Sequence, residues 1–376
     1  MITLGSVSPT LSICVTPGNC AFFAQPPAGT APAPAPIPLA QGPQSQNCSI
    51  NPTWCHANQA SIEMCGFDLG LGNTTTVFSG TSQPAGKNLS GTTLTFAGRK
   101  NLAAAITKMG ALGLSKATSV LLTGVAFDGT AVILNADFIG QQLKEIAPKL
   151  TKYKALPVDA IHPRFGSLLQ FLLPSVPEFK QSNWLLPVYA TVGNLSGALP
   201  ALSADCKAAN VKNPFLCLDA NESLPFVKTP TFVVQQTPGV WDFQCLFGGW
   251  FDPGFILQVQ CSYSWPSHRV RGYKDVHKCT QYDDLCMQEY VSKFVIPLQQ
   301  TYLQQAKPTA TKAGNGGFLF SCYLGSYFNE NFGTTSPAQV PRAVNGVWNQ
   351  IAIGGVTMQQ VTMNTGLHFS NNSVTL

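Results

Sequence analysis

The chain has 376 residues, of which 45% are hydrophobic and only 10% are charged. A charged fraction far below the roughly 25% of ordinary soluble domains predicts a surface that is uncharged, covered by sugar or in contact with partners. The net charge of +5 comes from 22 basic residues without a Lys/Arg run, which argues against nucleic-acid binding. No apolar run reaches the 18 residues that would indicate a membrane span.

Residues 1–62 contain no Lys, Arg, Asp or Glu, and residues 26–43 are rich in Pro and Ala. Such a stretch favours the extended polyproline II conformation. We therefore predict an uncharged Pro-rich N-terminal arm over residues 1–62 and a folded domain over residues 63–376. Disulfides at Cys20, Cys48 and Cys55 would fasten the arm to ordered structure.

From residue 92 onward, helical and strand patterns alternate. Helical spacing of apolar residues predicts helices over 99–114, 130–147 and 288–305, and short apolar runs predict strands over 118–123, 229–236 and 316–323. Residues 124–129 form a turn, and residues 347–365 are predicted to be a strand followed by a helix. This alternation predicts an α/β fold with a doubly wound, mostly parallel sheet flanked by helices.

The twelve cysteines include no CxxC pair, and none of the five histidines recurs at zinc-ligand spacing. We therefore predict disulfides and no metal site. Six Asn-x-Ser/Thr sequons are candidate glycosylation sites; they begin at Asn47, Asn73, Asn88, Asn194, Asn221 and Asn371.

The turn Gly-Val-Ala-Phe-Asp-Gly between a strand and a helix is the element that should carry chemistry. An α/β-hydrolase holds its nucleophile on such a turn between glycines; here Gly124 and Gly129 flank a central Ala126. The turn and its lead-in, TTLTFAGRKNLAAAITKMGALGLSKATSVLLTG, resemble the pectin acetylesterase and Notum family of carboxylesterases. Members have Gly-Cys-Ser-Ala-Gly-Gly at this turn, so the resemblance implies an α/β-hydrolase-like fold and places the catalytic serine position at Ala126.

Two later segments extend the resemblance to the rest of a triad. TPTFVVQQTPGVWD is similar to the family's strand before Tyr-Asp-Ser-Trp, which puts the aspartate position at Gly239. GGFLFSCYLGS looks like the segment that ends in Ser-Cys-x-x-His, which puts the histidine position at Gly325. The match covers residues 92–370; before it, we find neither the Gly-Gly-x-Trp-Cys oxyanion loop of the family nor its Tyr-Cys-Asp-Gly strand.

Cysteine-bearing segments also match the family. GALPALSADCKAANVKNPFLCLD is similar to a family segment with two cysteines after Leu-Pro, which implies a disulfide between Cys206 and Cys217. CTQYDDLCMQEYVSKFVIPLQQ resembles a cysteine-bearing helix and makes Cys279 and Cys286 further disulfide candidates. Cysteines, sequons and resemblance together predict an extracellular, secretory-pathway or cell-surface location.

Acyl transfer needs a hydroxyl, an imidazole and a carboxylate, and the aligned positions offer Ala126, Gly325 and Gly239. Phe127 and Asp128 would place a bulky ring and a fixed anion at the turn, where Asp128 could cap the helix and repel an oxyanion. We therefore predict no catalytic residues and no cofactor. The chain is interpreted as an extracellular pseudoenzyme, a structural or interaction subunit that contacts other protein subunits through residues 1–62.

Two other functions stay open. One is a carbohydrate- or acyl-binding module, whose ancestral cleft could be lined by aromatic residues that could equally form core: Trp241, Phe243, Phe247, Trp250 and Phe251. The other is an active carboxylesterase with a relocated triad, for which the remaining candidates are His162, His268, His277 and His368. Nothing in the spacing of these histidines marks a catalytic role.

Overall fold

The computed structural model describes residues 1–6, 48, 54–64, 68–77, 91, 93–125, 127–161, 185–236, 316–320, 352–353 and 356–357. In chain order the strands and helices are β1 (Ile2–Ser6), β2 (Ala60–Met64), β3 (Thr74–Val77), β4 (Thr93–Phe96), α1 (Gly98–Ala111), β5 (Ser119–Val125), α2 (Phe127–Ile146), β6 (Lys152–Val158), α3 (Leu185–Ser196), α4 (Ala204–Ala209), α5 (Ala220–Ser223), β7 (Phe232–Gln236), β8 (Gly316–Phe320), β9 (Ala352–Ile353) and β10 (Val356–Thr357).

Six strands form one sheet in the order β2-β1-β5-β6-β7-β8. Every neighbouring pair in this sheet is parallel. Parallel sheets need cover on both faces and therefore use continuous apolar strands; in β5, Val120, Leu121 and Leu122 are all buried. The predicted α/β fold with a mostly parallel sheet is confirmed. Two small antiparallel pairs, β3–β4 and β9–β10, complete the described strands.

Helix α2 is the centre of the described core. It packs on β5, β6 and α1, and Ala131, Ile139 and Leu143 are fully buried. Burial of each large side chain stabilises the fold by roughly 1.5–3 kcal/mol, so the start of α2 is held firmly against the end of β5. Among the described residues, no helix is both long and apolar enough to cross a bilayer.

The two ends of the predicted N-terminal arm lie inside the sheet. Ile2 pairs with Ala60 on β2 and with Leu122 on β5, so residues at both ends of the predicted arm take part in the sheet. Parallel neighbours need a crossover connection, and residues 7–59 supply it. The Pro-rich stretch 26–43 lies outside the described residues, and the division into an N-terminal arm and a folded domain stays a prediction.

Other element bounds differ from prediction by a few residues. The helix predicted over 99–114 ends at Ala111, because Gly113 adopts a left-handed φ of 117° that interrupts helical hydrogen bonding. The predicted turn at 124–129 is shorter, since β5 continues to Val125 and α2 begins at Phe127. Within residues 347–365, predicted to be a strand followed by a helix, the structure describes the short strands β9 and β10, and the rest of this segment lies outside the described residues. The helix predicted over 288–305 lies outside the described residues.

Candidate functional site

The turn between β5 and α2 is built on two close backbone contacts. A Cβ on Gly124 would stand 2.5 Å from the Asp128 carbonyl oxygen, and a Cβ on Gly129 would stand 2.8 Å from the Val158 carbonyl oxygen and 2.9 Å from the Ala160 Cβ. Only glycine fits where backbones approach this closely. Both predicted glycines are therefore required by the geometry of a tight strand-to-helix turn, the kind that holds the nucleophile in an α/β-hydrolase.

The residues around the turn differ in what they offer to chemistry. Val125 ends the strand and Phe127 begins the helix; Ala126, the residue between them in sequence, lies outside the described residues. The Phe127 side chain is buried in the hydrophobic core. Asp128 lies within the first turn of α2 rather than before it, so its charge is favourable to the helix dipole from inside the helix.

Topology brings the strands that precede the three aligned positions to one edge of the sheet. Val125, Val158 and Val234 are paired across β5, β6 and β7, and β8 continues the sheet beside β7. With neighbouring strands about 4.8 Å apart, the ends of β5 and β8 lie within about 15 Å of each other. Gly239 and Gly325 follow β7 and β8 shortly in sequence but lie outside the described residues, so their convergence with Ala126 stays a prediction.

A buried carboxylate that sequence reasoning missed lies in the loop after β2. Asp68 is 3% exposed and accepts hydrogen bonds from the backbone N–H groups of Gly70 at 3.1 Å and Gly98 at 3.0 Å. Burial raises the pKa of the Asp68 carboxyl above its ordinary value, while backbone hydrogen bonds from Gly70, Gly98 and Gly72 oppose the rise. A Cβ on Gly72 or Gly98 would collide with this carboxylate, so the loop and the start of α1 are shaped around it.

Arg99 stands beside this carboxylate at the start of α1. Burial lowers the pKa of its guanidinium to about 10, partly opposed by the charge of Asp68. One Nη atom donates to the Ala201 carbonyl at 3.0 Å, and the guanidinium carbon lies 4.2 Å from the centroid of the Phe138 ring. This cation–π contact joins the start of α1 to α2. Asp68 therefore joins the loop after β2 to the start of α1, and Arg99 joins the start of α1 to α2.

Asp137 joins α2 to the segment that leads into β7. Its carboxylate accepts hydrogen bonds from the Lys228 N–H at 3.0 Å, from the Thr229 N–H at 2.7 Å and from the Thr229 hydroxyl at 2.7 Å. Nearby, the Tyr153 hydroxyl donates to the Ala136 carbonyl at 2.9 Å. Burial, and then the charge of Asp137, raise the pKa of Tyr153 well above its ordinary value. These contacts are structural and lie far along α2 from the turn.

A cavity of about 750 Å³ adjoins these contacts. Its lining includes Asp137 and Phe138 of α2, together with Thr151, Lys152 and Pro230. These last three residues lie at the starts of β6 and β7, the edge of the sheet opposite to the turn. The cavity is therefore separate from the turn between β5 and α2.

Two disulfides are present among the described residues. Cys206 and Cys217, the pairing that the family resemblance implies, are bonded and fully buried. Cys48 and Cys55 form the second disulfide, and the His56 Nε2 lies 3.4 Å from the Cys48 sulfur. These three side chains converge, but sulfur in a disulfide is not the thiolate that binds metals.

The remaining predicted residues divide between described and undescribed parts of the chain. Asn73 and Asn194 are exposed and Asn221 is half-buried. Outside the described residues lie Asn47, Asn88, Asn371, Cys279, Cys286, the four histidines proposed for a relocated triad and the aromatic cluster 241–251.

Comparisons with known proteins agree with this architecture. The pectinacetylesterase family model matches residues 39–350. Pectin acetylesterase 5 of Arabidopsis thaliana is 28% identical over 54% of this chain and 42% of its own length. Pectin acetylesterase 11 of the same plant is 24% identical over 73% of this chain and 58% of its own length. The chain thus spans about half the length of these relatives.

Solved structures show the same fold. Two crystal forms of the Wnt deacylase Notum from Drosophila superpose with TM-scores of 0.59 and 0.56, each at 16% identity. The first superposition covers 92% of this chain and 83% of Notum; the second covers 95% and 81%. The predicted α/β-hydrolase-like architecture and the resemblance to the pectin acetylesterase and Notum family are both confirmed.

Proposed function

Because the chain belongs to the pectinacetylesterase family, we propose that it is a non-catalytic member of a family of esterases and that it acts as a structural or interaction subunit. The observation that carries the proposal is the turn between β5 and α2. Gly124 and Gly129 keep the close backbone approach of a nucleophile turn, while the residue between Val125 and Phe127 is Ala126, which has no atom that could attack an ester.

Loss of the triad removes the covalent route to hydrolysis. Without a nucleophile, binding and an oxyanion hole alone give a rate about 10³- to 10⁴-fold above water in well-studied proteases. Gly239 and Gly325, at the aligned aspartate and histidine positions, offer neither an orienting carboxylate nor a general base. A single inactivating change would have left these two partners in place.

The connection between β1 and β2 is the segment that we assign to partner contact. Residues 7–59 contain no Lys, Arg, Asp or Glu, so a partner could bury them without removing a charge from water. The segment is held at both ends by the sheet and near its end by the Cys48–Cys55 disulfide and the buried Trp54. The disulfides support an oxidising, extracellular or secretory-pathway location, where the partners would be other protein subunits.

A reactive-serine probe tests the loss of catalysis. The full chain is incubated with a fluorophosphonate, which labels the activated serine of a hydrolase, beside an active pectin acetylesterase as positive control. We expect label on the control alone. Stoichiometric labelling of any serine in the full chain would overturn the proposal in favour of a relocated triad, and peptide mapping would identify that serine.

A reconstruction tests the alignment itself. The triple variant Ala126→Ser/Gly239→Asp/Gly325→His is compared with Ala126→Ser alone. If the three positions converge, the triple variant should take up fluorophosphonate label and the single variant should not. If the two variants take up the same amount of fluorophosphonate label, and both keep the circular dichroism spectrum of the unchanged chain, the assigned positions are refuted.

Ligand binding without turnover defines the alternative function. Acetylated oligogalacturonides are titrated into the full chain by calorimetry, with Ala126→Phe as a variant that blocks the turn. The structural-subunit proposal predicts no saturable binding. Saturable binding that Ala126→Phe abolishes would replace it with a carbohydrate- or acyl-binding module.

A further inference from the structure

The two described disulfides differ in their access to solvent. Cys48, which is bonded to Cys55, is exposed, whereas both Cys206 and Cys217 are fully buried. Thiol–disulfide exchange begins with the attack of a thiolate on one sulfur, so its rate depends on access to that sulfur. A thiol in solution therefore reaches the Cys48–Cys55 disulfide without unfolding the chain, but it does not reach the Cys206–Cys217 disulfide.

The two sulfur atoms of the exposed disulfide are not equivalent. Cys55 is 7% exposed and follows the buried Trp54. The chain after it is anchored to the sheet, since the Ala60 N–H donates to the Met1 carbonyl at 2.9 Å. An incoming thiolate therefore attacks the sulfur of Cys48, and the sulfur of Cys55 is the one that leaves.

His56 supplies a charge that favours this direction of exchange. Its Nε2 atom lies 3.4 Å from the Cys48 sulfur, and a ring nitrogen of His56 lies within 4.8 Å of both sulfur atoms. A protonated imidazole beside a thiolate stabilises the thiolate, so it lowers the barrier for departure of the Cys55 sulfur. Because imidazole changes its charge between pH 5 and 8, this assistance is strongest at the acidic end of that range.

We propose that Cys48 is a site of reversible modification by thiols, at which an external thiol opens the Cys48–Cys55 disulfide and stays attached as a mixed disulfide. The incoming thiolate forms an S–S bond with the Cys48 sulfur, the Cys48–Cys55 bond breaks, and Cys55 leaves as a thiolate that takes up a proton. No oxidant is consumed, because the disulfide itself accepts the electrons of the incoming thiol. Attack by Cys55 on the mixed disulfide reverses the step. Exposed disulfides are typically the labile and regulatory ones.

The modification attaches a thiol-bearing molecule to the connection between β1 and β2. A small thiol such as glutathione and a cysteine of another protein use the same chemistry at Cys48. The assignment of this site does not depend on the loss of catalysis, since the disulfide and His56 belong to neither the turn between β5 and α2 nor the aligned triad positions.

A glutathione buffer tests the site. The full chain is incubated with reduced and oxidised glutathione, quenched with iodoacetamide and mapped by non-reducing peptide mass spectrometry. We expect glutathione on Cys48, alkylation of Cys55 and an intact Cys206–Cys217 disulfide. Absence of glutathione from Cys48, glutathione on Cys55 in its place, or opening of the two disulfides at the same rate would overturn the proposal.

A parallel experiment identifies the source of the thiol. The glutathione buffer is replaced by a folded protein with one exposed thiol, and the adduct is detected by non-reducing electrophoresis. An adduct with both probes supports a site open to thiols of any size, and an adduct with glutathione alone supports a site for small thiols.

The pH dependence separates the role of His56 from a general effect on the fold. His56→Gln keeps a polar side chain but removes the titrating imidazole. Relative to the unchanged chain, we expect its Cys48–Cys55 disulfide to open about three- to tenfold more slowly at pH 6 and at a nearly equal rate at pH 8. The nearby Met1 amino group, which donates to the Asn58 carbonyl at 2.6 Å and whose pKa burial lowers, is present in both proteins and cancels from the ratio. Equal rates at pH 6, or the same ratio at both pH values, would refute the assistance by His56.

Discussion

The close backbone approach at Gly129 can be tested by adding a single methyl group. In Gly129→Ala, the new Cβ would lie 2.8 Å from the Val158 carbonyl oxygen and 2.9 Å from the Ala160 Cβ. Both atoms belong to the chain at the end of β6, which is held by pairing with Val125 and by the hydrogen bond from the Thr130 hydroxyl to the Ala160 carbonyl at 2.9 Å. Neither atom can retreat without moving the sheet.

The expected change in the free energy of unfolding of Gly129→Ala follows from two opposing effects. Overpacking of this kind costs typically 1–3 kcal/mol. Contacts below 3 Å with the Val158 carbonyl oxygen and the Ala160 Cβ put the cost of Gly129→Ala at about 3 kcal/mol. Replacing glycine by alanine within a helix returns about 0.5–1 kcal/mol. We therefore expect the free energy of unfolding to fall by about 2 kcal/mol.

Gly110→Ala is the matched control. Gly110 lies within α1, and its added Cβ would stand 3.5 Å from the Ile146 Cδ1, an ordinary van der Waals contact. This variant should gain about 0.5–1 kcal/mol. Urea unfolding, monitored by circular dichroism, measures the free energy of unfolding of both variants. If Gly129→Ala unfolds at the same urea concentration as the unchanged chain, or if both variants are destabilised equally, the close approach at the turn does not exist.

Three further predictions concern the core around α2 and the buried disulfide. Asp137→Ala removes three hydrogen bonds and leaves the Thr229 N–H without its acceptor, so urea unfolding should show a loss of about 1–3 kcal/mol; an unchanged midpoint would contradict this role. Cys206→Ala/Cys217→Ala should lose about 2–4 kcal/mol in the same assay, and an unchanged urea midpoint would count against a structural disulfide. Burial, and then the charge of a neighbouring lysine, lower the pKa of Lys154 to about 8 from about 10.5 in the unfolded chain. The unfolded state therefore binds the proton more tightly between these values, stability should rise from pH 8 to pH 10, and a rise of equal size in Lys154→Met would refute the assignment.

The β5–α2 unit could be predicted from sequence because its signals are local. A continuous apolar strand, two glycines and helical spacing occur within a few dozen residues. The buried contacts of Gly124 and Gly129 then agree with what the turn requires. The same local signals revealed that the residue at the turn, Ala126, cannot act as a nucleophile.

Elements that depend on distant partners could not be predicted. Strand β6 contains Lys152, Lys154 and Pro157, which break an apolar strand pattern, yet Lys154 is only 6% exposed because the sheet surrounds it. Strand β1 looks like part of an uncharged arm, and only its pairing with residues 60 and 122 places it in the sheet. Tertiary context outweighs local propensity at such positions.

Asp68 illustrates the same limit at the candidate site. An acid before alternating glycines is a weak signal alone, since the Gly98 N–H that it accepts from lies 30 residues away. Its burial becomes visible only when β2, the loop and α1 are assembled.

Acetate release from acetylated pectin by the unmodified full chain tests the central claim most directly. The rate is measured against buffer alone and against an active pectin acetylesterase at equal concentration. A chain without nucleophile, base and orienting carboxylate should accelerate hydrolysis by no more than about 10⁴-fold over water. Acceleration of about 10⁶-fold or more, the range of true enzymes, would contradict the assignment of this chain as a non-catalytic member of its family.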